Sequence, residues 1–196
     1  MNVRPATLEG RIVRLEPLGM THHPGLCEVG LDPELWRLTM TLIRTPEEMR
    51  AYIAEALRLQ DAGSALPFAI VERSSGRVVG STRFGNIDRP NRRVEIGWTW
   101  IARAWHRTGI NTEAKYLLLS HAFEELGCNR VELKTDALNA QSRAAILRIG
   151  AKEEGTLRQH QIAPGGRLRD SVYFSILLEE WPEVKRSLAL KRRISQ

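Results

Sequence analysis

The stretch from Trp105 to Ala114 constrains this chain most, because a pattern of period two runs into it and a helical stripe runs out. Before it, Arg93-Val94-Glu95-Ile96-Gly97-Trp98-Thr99-Trp100-Ile101 alternates in side-chain character as a pleated strand does. After it, Ala114, Leu117, Leu118, His121, Ala122 and Glu125 recur at helical spacing until Gly127 supplies a left-handed stop. The first-turn N–H groups of such a helix lack internal partners and sit at the positive end of its dipole, so the turn can hold phosphate without a cage of lysines. Gly109 allows close backbone approach, His106 and Arg107 add donors, and Thr108, Ile110, Asn111 and Thr112 complete the candidate anion-binding set. Many strand–turn–helix units bind nothing, and this stretch alone leaves a purely structural turn open.

The 196 residues suffice for one well-buried core and are few for two. The apolar fraction of 42% is that of a soluble globular protein, and the N-terminus lacks the apolar core of a signal peptide. A cytoplasmic protein is the expectation, with Cys27 and Cys128 reduced. The net charge of +6 raises nucleic acid as a partner, but arginines and glutamates are interleaved. Only Lys185-Arg186 with Lys191-Arg192-Arg193 forms a dense basic run, and a solvated helix face accounts for it. The surplus also suits a protein that holds a multiply anionic phosphate ligand.

In order along the chain, Arg11 to Glu16 reads as a first strand, and Thr21 and Asp32-Pro33-Glu34 as helix starts. Thr45-Pro46-Glu47-Glu48 is a capping box opening a helix whose stripe is Met49, Tyr52, Ile53, Ala56 and Leu57. His22 and His23 have no third ligand spaced near them, so no metal site is expected. Three strands, Leu66 to Glu72, Arg77 to Gly85 and Arg93 to Ile101, joined by turn sequences, read as antiparallel neighbours. A helix from about Thr112 to Leu126 and a strand from Arg130 to Thr135 then favour parallel pairing across that unit, giving a mixed sheet. Asn139 caps a helix that stops at Gly150; strands Gly155 to Ile162 and Ser171 to Leu178 flank the turn Ala163-Pro164-Gly165-Gly166. One domain over residues 1–182 with a basic helical tail at 183–196 is the expected organisation.

Taken in order, Glu95-Ile96-Gly97-Trp98, the turn through Gly109 to Ala114, Asn139-Ala140-Gln141-Ser142 and Gly150 resemble the GCN5-related N-acetyltransferases (GNAT). The likeness covers roughly residues 8–180 and is nearest to the ribosomal-protein alanine acetyltransferase branch. The resemblance implies an α/β (α+β) fold with a mostly antiparallel central sheet, helices on both faces, and one parallel strand pair splayed apart to admit acetyl-CoA. It also implies that the turn's amides take the diphosphate, that Trp100, Ile101 and Ala102 run beside the pantetheine arm, that Asn139 contacts that arm, and that Ser142 lies near the thioester. Read locally, Asn139 is a helix cap and Ser142 a polar first-turn residue. Three positions depart from the family pattern: His106 stands where Gln or Arg is usual, Asn111 where Gly or Ala is usual, and Ile146 where many relatives carry a tyrosine acid.

Acetyl transfer to an amine needs both reactants held together, a group to accept the amine's proton, and a donor for the carbonyl oxygen as charge develops on it. Glu95, expected on one strand with Trp98 and Trp100, is the first candidate base; a cross-strand ion pair with an arginine such as Arg83 is its structural alternative. His160 is a second, looser base candidate, Ser142 and Tyr173 are candidate proton donors to sulfur, and the backbone N–H near Ile101 or Ala102 is the candidate oxyanion donor. The segment Gly25 to Arg44 and the Pro164-Gly165-Gly166 turn are where acceptor selectivity is expected. The reading is an N-acetyltransferase acting by direct attack in a ternary complex, with a protein N-terminal amine favoured as acceptor and no metal or membrane required. A small amine such as an antibiotic or polyamine is the alternative acceptor, a non-catalytic module binding RNA or a ribosome is the alternative function, and a homodimer is left open.

Overall fold

The computed structural model describes residues 1–194. Its strands are β1 (Leu8–Glu9), β2 (Val13–Pro17), β3 (Leu66–Glu72), β4 (Val78–Asp88), β5 (Arg93–Ile101), β6 (Arg130–Asp136), β7 (Lys152–Ile162) and β8 (Leu168–Leu177). They form one sheet in the order β1-β2-β3-β4-β5-β6-β8-β7, in which β5 and β6 are parallel and the other neighbours antiparallel. The helices are α1 (His23–Gly30), α2 (Pro46–Asp61), α3 (Ile110–Ser120), α4 (Ala140–Arg148) and α5 (Trp181–Ile194). The mixed sheet with helices on both faces is therefore present.

Alternation along the strands divides the interior in two. Phe68 and Ile70 of β3 join Val94, Ile96, Leu118, Leu133, Phe174 and Leu188 on the face covered by α3 and α5. Ala69, between them, joins Trp36, Met49, Tyr52, Ile53 and Trp100 under α1 and α2. The second face of β6 and β8 carries polar side chains instead, among them Lys134, Tyr173 and Arg169.

Several boundaries differ from the sequence reading. Thr45 forms its capping box as expected, but Asp32 caps only a single 3₁₀ turn, Pro33–Leu35. Helix α3 starts two residues earlier than expected, at Ile110, and passes after Ser120 into a widened π-helical turn over His121–Glu125. His121 stacks on Phe84 there, a packing role. Strands β7 and β8 each start three residues early, because the hairpin keeps pairing beyond the apolar runs. The boundary drawn at 182 falls inside α5, whose Trp181, Val184 and Leu188 belong to the core. Lys185 and Arg192 of the basic run pair with Glu124 and Glu113, while the side chain of Arg193 and residues 195–196 lie outside what is described.

Two buried charges fasten α3 to its surroundings. Glu113, in its first turn, accepts the amides of Ile12 at 2.6 Å and Val13 at 2.9 Å and pairs with the Arg192 guanidinium. Burial alone would raise its carboxyl, yet the two amides and Arg192 hold it below the ordinary carboxylate value. Lys115, 6% exposed, donates from Nζ to Thr99 Oγ1 at 2.7 Å, and Thr99 in turn meets Thr82 at 2.7 Å. No carboxylate joins this chain of groups among the described residues, and burial pulls the ammonium down from its ordinary 10.5 to about 7.

Replacing Glu113 with Ala strands a guanidinium and two buried amides, so urea unfolding should show a loss of about 3 kcal/mol. A loss within error of zero would remove Glu113 from this role. Lys115 carries its proton in the unfolded chain up to about 10.5 but releases it near 7 when folded, so stability must rise with pH between those values. Thermal melts from pH 7 to 9 should show wild type gaining on Lys115→Met by about 1.4 kcal/mol per unit; parallel profiles would contradict the buried neutral amine.

Candidate active site

Strands β5 and β6 pair over Arg93–Arg130, Val94–Val131 and Glu95–Glu132, and then their ladder ends although both strands continue. Being parallel, they deliver their C-terminal ends to the same edge of the sheet. The turn leading to α3 follows one, and Asn139, cap of α4, follows the other. Ligands of α/β sheets bind outside such carboxyl ends, where neighbouring connections diverge.

What bends β5 out of line is a bulge at Trp98, which the expectation of unbroken alternation did not contain. Its register with β4 shifts between Ser81 and Arg83, and Trp98 takes a φ of 50°. Gly85, which pairs with Glu95, is required beneath the Trp98 ring, since a Cβ there would stand 2.2 Å from it. One extra residue reverses the parity of everything after it. Before the bulge Val94 and Ile96 enter the α3-side core; after it Ile101 does so, Thr99 meets Lys115 of α3, and Trp100 joins the α1–α2 core. Glu95, Trp98 and Trp100 thereby come to one face, which strict alternation would have denied them.

The edge of β5 that looks toward β6 offers free backbone. Ala102 N–H is committed to Val79 O at 2.9 Å, which removes it as an oxyanion donor. Alternation then turns the Ile101 amide to the open side. His106 Nε2–H donates to Ile101 O at 2.8 Å, so this histidine braces the strand end that was expected to lie beside a pantetheine arm. Arg107, with φ 61°, is the left-handed residue of the turn. Gly109 is the helix N-cap with ordinary right-handed angles, φ −69° and ψ −10°, and Asn111 is simply the second residue of α3. Thr108 Oγ1 donates to Trp105 O and takes a long 3.3 Å contact from Ile110 N–H. Among the described residues, the amides of Thr108, Gly109, Asn111 and Thr112 meet no protein acceptor. A turn with four uncommitted N–H groups fits a diphosphate, and the ladder's end beside it fits an extended arm.

Glu95, 4% exposed, accepts from Asn86 Nδ2 at 2.8 Å and Lys134 Nζ at 3.3 Å. The expected Arg83 partner lies instead against the rings of Tyr52 and Trp98. Lys134 also approaches the Tyr173 ring, which meets His160 edge to face, so both looser candidates stand on the same polar surface as Glu95. Asn139 Oδ1 accepts Ser142 N–H at 2.9 Å, which commits one end of its side chain to the cap. Ile146 is buried in the core. Asp136, fully buried at the end of β6, pairs with Arg167 and lies 3.8 Å from Arg169 Nε, tying the β7–β8 hairpin to the gap. The reading from sequence missed Asn86, Lys134 and this cluster, since each depends on pairing between distant strands. Among the described residues no group of His, Cys, Asp and Glu is placed to hold a metal ion, and no helix is long and apolar enough to cross a membrane. Both regions expected to set acceptor selectivity meet: Pro33, Trp36, Arg37, Thr39, Leu42 and Arg44 line one cavity of about 240 Å³ with Pro164 of the hairpin turn.

The family described as Acetyltransferase (GNAT) domain matches residues 13–152. The chain belongs to the GNAT acetyltransferases. It is thus an acyltransferase by family, and its fold is the family's own. A GCN5-related N-acetyltransferase from Brucella melitensis superposes with a TM-score of 0.90 at 30% identity, over 98% of this chain and 87% of that one. Mycobacterium smegmatis RimJ, solved in complex with CoA-disulfide, superposes at 0.83 with 25% identity over 96% of each chain. YdaF of Bacillus subtilis, named as a candidate ribosomal N-acetyltransferase, is 42% identical over 106 residues, 54% of this GNAT chain and 57% of that protein.

Gly109 has angles open to any residue, so no backbone strain demands glycine there, and close approach of a ligand is the reason we assign to it. Gly109→Val should keep the far-UV circular dichroism of wild type and lose the calorimetric heat of acetyl-CoA binding; retained affinity would argue against backbone approach at this turn.

Proposed function

We propose that this GNAT protein transfers acetyl from acetyl-CoA to a primary amine, with a protein N-terminal amine as preferred acceptor, by direct attack in a ternary complex. The observation that carries the reading is the early end of the β5–β6 ladder beside a turn of uncommitted amides. The CoA-disulfide in the RimJ neighbour and the ribosomal designation of YdaF support the cofactor and the acceptor class.

When bound, acetyl-CoA supplies an acetyl group activated as a thioester. The amides of Thr108, Gly109, Asn111 and Thr112, with Arg107, would hold its diphosphate, while Trp100, Ile101 and the Asn139 side chain would line its arm. The Ile101 N–H is the donor we assign to the carbonyl oxygen, where a preorganised amide stabilises developing negative charge. Glu95, oriented by Asn86 and Lys134, accepts the proton released by the attacking amine. Ser142 and Tyr173 are retained as proton donors toward the leaving sulfur.

Glu95→Gln should lower kcat about 100-fold with little change in acetyl-CoA affinity, and should erase the acid limb of the pH–rate profile. An unchanged profile would remove Glu95 from this role. Calorimetry with acetyl-CoA tests the donor: no heat and no thermal shift at high concentration would sink the transferase reading. Assays on peptides, a polyamine and an aminoglycoside separate the acceptor classes, and transfer to a small amine alone would overturn the N-terminal preference.

A further inference from the structure

We infer that Arg83 is a specificity residue that binds a carboxylate on the acceptor close to the amine being acetylated; the inference rests on the acetyltransferase reading and names the acceptor's chemistry. Arg83 stands on β4 opposite Gly97, one strand away from Glu95. Only 2% of it is exposed, yet none of its N–H groups meets a protein acceptor among the described residues, and its Nε is fully enclosed without a partner. Among the described residues no carboxylate lies within ion-pair distance, and Glu55 of α2 acts on the guanidinium only through space, its own contact being with Arg58. Its guanidinium instead lies 5.1 Å from the Tyr52 ring centroid and 5.0 Å from that of Trp98.

A guanidinium stays charged at any working pH, and taking one out of water without a directly bonded counterion is unfavourable. Two ring faces recover part of that, but they leave the planar fork of donors unused. Such a fork matches a carboxylate in two parallel hydrogen bonds. The anion does not come from Glu95, whose Oε2 is held by Asn86 and Lys134. Glu95 Oε1 instead leans over Gly97, 2.9 Å from where a Cβ would be. The bare strand position opposite Arg83 is thus bordered by a free carboxylate oxygen on one side and an unsatisfied guanidinium on the other.

An acceptor carrying an amine and a carboxylate within one or two residues fits that pair of charges, amine toward Glu95 and carboxylate toward Arg83. The surroundings agree in sign: the cavity walled by Trp36, whose ring lies beside Tyr52, is also lined by Arg37 and Arg44, with Glu34 already facing Arg37. Trp98, 38% exposed, covers the guanidinium from the solvent side and is held there by the bulge. The carboxylate has two sources, an acidic side chain next to a polypeptide's N-terminus or the α-carboxylate of a free amino acid.

The test compares kcat/KM for the C-terminally amidated tripeptides Ala-Glu-Ala and Ala-Gln-Ala, and for free glutamate, in wild type, Arg83→Met and Arg83→Lys. We expect the glutamyl peptide to be preferred at least 10-fold in wild type, through KM, with the preference lost in Arg83→Met and largely lost in Arg83→Lys, which keeps the charge without the fork. Because each protein serves as its own reference, a partly destabilised variant still reports the ratio. No wild-type preference, or one that survives Arg83→Met, overturns the inference while leaving acetyl transfer standing. A preference confined to free glutamate upholds the carboxylate contact and overturns the polypeptide acceptor. Should no acceptor be acetylated, the acceptor reading fails, and calorimetric titration of the two peptides into CoA-saturated protein decides on Arg83: tighter glutamyl binding that vanishes in Arg83→Met upholds the contact, and equal affinities overturn it.

Discussion

Three residue pairs join β5 to β6, and the proposed site depends on there being no fourth. A parallel ladder that ran on would consume the backbone groups of Ile96 to Ile101 along that edge, and buried peptide groups tolerate being unpaired only where something else satisfies them. Here the strands are held apart by their own sequences. Trp98 adds a residue to β5 that β4 cannot match, which twists the strand as it reaches the gap. On the other side Asp136 anchors the end of β6 to Arg167 of the hairpin rather than to β5.

The same divergence sorts the charges. On the α3 side the interior is mostly apolar, its charges being Glu113 with Arg192 and Lys115 with its threonine partners, and on the other side a polar band runs from Arg83 across Glu95 and Lys134 to Tyr173. Charges this deep are normally paired to saturation. Glu95 and Asp136 have partners on separate elements, which fixes their direction, whereas Arg83 is held between two aromatic faces, with Glu55 as a more distant counter-charge. A polar surface with one member left incomplete is an arrangement suited to receiving a ligand of opposite charge.

Much of this was readable before any coordinates, for local reasons. The capping box at Thr45, the period of α3 and the turn residues between β3, β4 and β5 each depend on neighbours a few positions away. The setting of the proposed site was partly legible: Glu95 lies on β5, the turn from His106 to Thr112 follows it, and Asn139 follows β6, on either side of the gap between the parallel strands. The bulge was missed although Gly97, an isolated glycine inside a strand pattern, was its available signal. Lys134 and Glu95 are 39 positions apart, and the cavity joining Trp36 to Pro164 spans most of the chain, so no local rule reaches them. Arg107 as the left-handed residue of the turn went unseen because a non-glycine at positive φ is uncommon and is imposed here by the surrounding turn.

Glu113 joins three parts of the chain that are otherwise remote: the hairpin bend at Ile12, the opening turn of α3 and the last turns of α5. The far C-terminus is in this way clamped to the helix whose first amides face the phosphate turn. Trimming that removes Arg192 would release that clamp, so for anyone engineering this scaffold the last turns of α5 are best left whole.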